Sequence, residues 1–127
     1  MTQDTGELLL ETAATIGAQP EVPRSPGSMV DSQPRLCAGA AIVYQAARKV
    51  LDAGALRRAA EDMFAAGADG ILRKASELGL DTHLVRLLVV NNDACPDDDR
   101  RERMVTFIRQ LAAARQQSVT VTGSAAS

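Results

Sequence analysis

From Leu36 to Arg115, apolar side chains recur at three- and four-residue spacing. That is the period of one face of an α-helix. The span holds no convincing pair of alternating stretches from which a sheet could be built. Helix must therefore pack on helix. Aromatic residues are only 2% of the chain, namely Tyr44, Phe64 and Phe107. The core is left to Ala, Leu, Val, Ile and Met. Alanine is the strongest helix former, and small side chains let helices approach closely. The expected fold class is all-α: a small bundle of about five short helices over 36–115, with a flexible arm before it and a tail after it.

Within this body, "LCAGAAIVYQAARKVLDAG" places Leu36, Ala40, Val43, Ala47 and Val50 on one stripe, and Gly54 is expected to stop the helix. "ALRRAAEDMFAAG" directs Leu56, Ala59, Ala60, Met63 and Phe64 inward, with Arg57 and Glu61 four residues apart on a solvated face. Asp69 is read as the cap of a third helix that Gly79 ends, and Asp81 as the cap of a fourth. "THLVRLLVVNND" is compatible with a helix or with a buried strand; the lack of a partner strand favours helix. The last helix is expected to start at Pro96, with Asp97, Asp98 and Asp99 at its positive end and Met104, Val105, Ile108 and Leu111 inward.

The flanks read differently. In 1–35, "TGELLLETAATIG" can form a short helix with Leu9, Ala13 and Ile16 on one side, and residues 18–35 carry four prolines, which read as a linker. Residues 116–127 are small and polar and read as a disordered tail. The arm 1–35 holds two basic and five acidic residues, while the body 36–115 holds twelve basic and eleven acidic, so the acidity sits in the arm. Neither part has the basic footprint of a nucleic-acid binder. The opening "MTQDTGELLL" lacks a basic start and a long apolar run, and no stretch approaches the roughly 20 apolar residues of a membrane span. With only two cysteines, we expect reduced thiols, a cytoplasmic location and no membrane partner.

The most suggestive motif is "ILRKASELGLDTHLVRLLVV", residues 71–90. Ala75, Gly79 and Val85 stand where a helix-turn-helix needs a small residue, a turn and a buried aliphatic. If this corner reads DNA, the contacts fall to Arg73, Lys74, Thr82, His83 and Arg86. Against that, Leu87 and Val90 would share the outward face, where a recognition helix needs polar groups. "NNDACPDDDR" gathers oxygen ligands but lacks the central glycine of a calcium loop, and its carboxylates suit a helix N-terminus better. Cys37 falls at a predicted helix start beside Arg35, which makes it the candidate reactive thiol. No nucleophile elbow, zinc motif, phosphate loop or catalytic pair surrounds His83, the sole histidine. We therefore expect no catalytic residues, no metal and no cofactor. The expected function is a non-catalytic interaction or regulatory module that binds itself or another protein, with a helix-turn-helix DNA regulator as the alternative.

Overall fold

The computed structural model of the protein describes residues 4–31 and 33–126, with side chains up to Arg115. Among these residues the order is helix α1 (Thr5–Ala18), strands β1 (Gly27–Val30) and β2 (Gln33–Leu36), then helices α2 (Ala38–Ala47), α3 (Ala53–Glu77), α4 (Thr82–Ala94) and α5 (Arg100–Ala126).

The short helix α2 forms the centre. Its alanines, with Gly39, Ile42 and Val43, are buried on almost every side, as a helix apolar all round must be. It touches α1, α3, α4 and β2. Gly39 is what admits α4: a Cβ there would land on the Val89 side chain. Helix α2 ends at Ala47. Gly54 lies instead in the first turn of α3, because Asp52 accepts a hydrogen bond from the Ala55 backbone N–H (2.8 Å) and restarts the helix upstream of it.

The two helices expected on either side of Asp69 are one element with a kink. The break is at Gly67, whose φ of 69° and ψ of −150° belong to glycine alone, and helical geometry resumes directly after it. The corner after α3 is as expected. Gly79 has φ 75°; its N–H donates to Ser76 and that of Leu80 donates to Ala75 (3.1 and 2.9 Å), the paired bonds of a Schellman cap. Asp81 then accepts from the N–H groups of His83 and Leu84, and residues 82–94 are helix rather than strand.

The largest departure is the proline-rich arm. Helix α1 docks on α5 and α2, burying Leu8, Leu9, Thr12, Ala13 and Ile16. Strands β1 and β2 pair antiparallel with Val30 opposite Gln33, so the protein is mostly but not purely α. The arm is folded because distant polar side chains satisfy its backbone. Gln19 accepts from the Leu36 N–H (2.8 Å) and donates to the Leu36 carbonyl (3.0 Å). Asn92 donates to the Pro23 carbonyl (3.0 Å) and Asp93 accepts from the Ser25 N–H (2.8 Å). Buried backbone groups need such partners. Proline makes the segment easier to order, since its φ is already fixed.

Helix α5 begins at Arg100, not Pro96. The intervening turn lets Arg100, nearly fully buried, donate to the carbonyls of Val22 (3.0 Å), Asn92 (3.0 Å) and Cys95 (3.2 Å) and to the Asp97 carboxylate. The backbone of α5 is helical to Ala126, where a disordered tail was expected; side chains from 116 on, and residue 127, lie outside the described residues.

Candidate functional site: the α4–α5 face

Three places inherit functional expectations from the sequence. The first is the corner 71–90. Ala75 and Val85 are fully buried and Gly79 makes the turn, so the packing mechanism of the motif is present. Arg73, His83 and Arg86 are exposed; Lys74 and Thr82 are half-buried. Lys74 is engaged by Glu77 at 2.9 Å. Asp81 pairs with Arg115 at 3.7 Å, which brings an acidic group to the tip of the corner.

The second is Cys37. It caps α2, its sulfur accepting from the Ala40 N–H and from the Ser25 hydroxyl, both at 3.3 Å. Burial dominates these bonds and pushes the thiol up from its ordinary range. Arg35, expected to activate it, lies in β2 opposite Ser28 and is not among the groups that shift the thiol, whereas the Asp93 carboxylate opposes ionisation. A fully buried, protonated thiol is a poor nucleophile.

The third is the outer side of α4. Its inner residues Leu84, Val85, Leu88, Val89 and Asn92 face α2 and the arm. The remaining face leaves Leu87 41% and Val90 59% exposed. Beside it runs α5, and two open cavities lie between or beside the helices. One, of about 420 Å³, is bordered by Asn91, Cys95, Met104, Phe107 and Gln110. The other, of about 370 Å³, is bordered by His83, Leu87, Leu111, Ala114 and Arg115. Phe107 borders the first and Leu87 and Leu111 border the second, while Val90 stands exposed one turn along α4 from Leu87. Phe107 was not anticipated. The signal was present as a second stripe on α5: Met104, Ile108 and Ala112 are buried, whereas Phe107, Leu111 and Ala114 repeat at helical spacing beside it and border the two cavities.

The acidic run at 97–99 does not assemble a metal centre. Asp97 pairs with Arg100 and Arg24, and these guanidiniums, Arg100 foremost, hold its carboxyl below the usual range. Asp99 pairs with Arg103. Among the described residues no group of three or more His, Cys, Asp or Glu is arranged to hold a metal ion, and no helix is long and apolar enough to cross a membrane. No protein-family model, curated protein or solved structure matches the chain.

Proposed function

We propose that the protein is a non-catalytic helical interaction module that associates with itself through the α4–α5 face. One observation carries this reading: Leu87 and Val90 stand exposed one turn apart on α4, Leu87 at the edge of a cavity it shares with Leu111, although the helix has already buried a complete inner face. Contiguous exposed apolar surface of that kind marks a site of association. The buried, protonated Cys37 supports a role without thiol chemistry. The test is molecular mass by light scattering over a wide concentration range. Mass should rise with concentration, and Leu87→Asp with Val90→Asp should hold the chain at monomer mass. A strict monomer at every concentration would count against the reading.

The corner 71–90 supports a second reading as a DNA-binding regulator, with Arg73, Lys74, Thr82, His83 and Arg86 as contacts. Its support is the buried Ala75 and Val85 packing with Arg73, His83 and Arg86 outside. Leu87 and Val90 on the same outward face speak for protein instead. Anisotropy of a labelled mixed-sequence duplex at low and then moderate salt separates the two. Phosphate-driven binding appears at low salt, collapses as salt rises and weakens in Arg73→Ala or Arg86→Ala.

A further inference from the structure

A third cavity, of about 460 Å³, lies where the corner between α3 and α4 meets the start of α1 and the end of α2. It is more enclosed than either cavity of the α4–α5 face. Its floor is made by Leu8, Ile42, Ala46, Leu84 and Val85, all buried. Two small residues keep it open: Ala46 from α2, and Gly79, where an added Cβ would meet nothing within 4 Å. Its rim reaches solvent at Val50, Gly79 and Asp81. Of the bordering residues only Thr5 and Asp81 carry polar side chains, and Asp81 alone is charged. Asp81 uses Oδ1 to cap α4, accepting from the His83 and Leu84 N–H groups. Its Oδ2 has a loose, solvent-exposed partner in Arg115 at 3.7 Å. Arg115 itself borders the neighbouring cavity and not this one.

We infer that this cavity binds a small aliphatic amphiphile, with a medium-length alkyl chain against the floor and an amine or hydroxyl head donating to Asp81 Oδ2 at the rim. A concave, mostly apolar cavity with one or two convergent polar groups is the usual form of a small-molecule site. The wall sets the body of the ligand. No aromatic ring borders the cavity, so a flat ring has nothing to stack on, whereas a flexible alkyl chain fits a lining of Leu, Ile, Val and Ala. The rim sets the head. An ionised carboxylate accepts hydrogen bonds and donates none, so the head must be a donor. An anionic head would meet like charge at Asp81, with no cation of the lining to offset it. Occupancy does not depend on self-association through Leu87 and Val90, since neither borders this cavity.

The experiment uses the full chain with Ile, Leu and Val methyl groups labelled for NMR. Primary alkylamines, alcohols and carboxylates from hexyl to nonyl are titrated below their micellar range. The methyls of Ile42, Leu84 and Val85 should shift, and those of Val90, outside the cavity, should not. Affinity should rise about fourfold per added methylene, the gain from burying each one, and level off when the chain outgrows the cavity. At equal length the amine should bind about fivefold tighter than the alcohol, as an exposed charge pair allows, and the carboxylate should bind weakest. Asp81→Asn keeps a cap for α4 and should bring amine and alcohol to equal affinity. Ala46→Phe should fill the cavity and abolish the shifts for every probe. Val50→Trp tests the same closure from an exposed rim position without touching the core, and should weaken every probe alike. Absence of methyl shifts with all probes, affinity independent of chain length, or binding unchanged in both closing variants would overturn the site. Carboxylates binding as tightly as amines, or an amine preference that survives Asp81→Asn, would overturn Asp81 as the group that reads the head. Shifts at Ile42 and Leu84 on raising protein concentration alone would make a second copy the occupant and overturn the ligand assignment.

Discussion

Arg100 does at one position what the sequence alone gives no reason to expect. Its guanidinium closes the carbonyls of Val22, Asn92 and Cys95, tying the arm to the junction of α4 and α5. Replacing it by leucine keeps bulk but leaves three buried acceptors short of donors, each such loss being worth about 1 kcal/mol or more. Arg100→Leu should lower unfolding free energy by about 3 kcal/mol in a urea titration, near the top of the range for single substitutions. Released from Arg100, the Asp97 carboxyl should titrate higher, which NMR would follow directly. Cys37 gives a prediction in pH. Burial raises its folded pKa, so the unfolded thiol ionises first as pH rises. In that alkaline window the native state binds more protons than the unfolded state, and stability falls with increasing pH. Cys37→Ser keeps an oxygen for the Ala40 N–H and removes the titration, so its urea midpoint should fall less between neutral pH and pH ~10 than that of the native protein. Alkylation of native Cys37 at neutral pH should be slow until the chain is unfolded.

At the scale of elements, what was legible was local. Gly79, Leu80 and Asp81 announce a helix stop, a return and a start within three residues, and the structure has all three. The face of α1 was legible for the same reason, as were Met104 and Ile108 on α5. What was not legible depends on partners far along the chain. The segment 18–35 looked like linker because four prolines and no helical or alternating period mark it; apart from its hairpin and the Gln19–Leu36 bonds, its backbone is met from 68 to 82 positions away by Asn92, Asp93, Arg100 and Arg101. Periodicity carries no information about such bonds. The α3 kink was obscured for another reason: a glycine that breaks a helix and a glycine that bends it look alike in sequence, and only the conformation of Gly67 tells them apart. The apolar side of the candidate face was half visible. Leu87 and Val90 stood out, but Phe107 was hidden because an aromatic beside an apolar stripe reads as core. The two glycines give a test of the elements they shape. Gly67→Ala and Gly79→Ala force a side chain into positive φ, with nothing within 4 Å of either added Cβ to complicate the result. Each should destabilise by about 1 kcal/mol or more, Gly67 more than Gly79 because its ψ lies outside the left-handed helical well.

For the molecule as a whole, the question is whether the N-terminal helix belongs to the cooperative unit or rides on it. A fourteen-residue helix is marginal alone in water. Here Leu9 and Ile16 are fully excluded from solvent, and they join one continuous core with Ile42, Met63, Leu88, Met104 and Ile108, contributed by α2 to α5. The central helix α2 has only ten residues and cannot be covered by α3 and α4 alone; α1 closes its remaining side. The body 36–115 is therefore incomplete without the arm. If so, truncating Leu9 or Ile16 to alanine removes core methylenes that the whole fold shares, and each substitution should cost about 2–4 kcal/mol of global stability. The loss should appear as a single shifted transition, with helical signal and Tyr44 environment changing together. A detachable arm predicts something else: a small early transition for α1, followed by unfolding of the remainder at the native midpoint. Hydrogen exchange separates these outcomes most sharply. In a cooperative molecule the amides of Ala13 and Ile42 exchange through the same global opening, and Ile16→Ala accelerates both by the same factor, about thirtyfold or more for a loss of 2 kcal/mol or greater. Acceleration confined to α1 would return the arm to the status of an appendage, and would leave the burial of α2 without its cover.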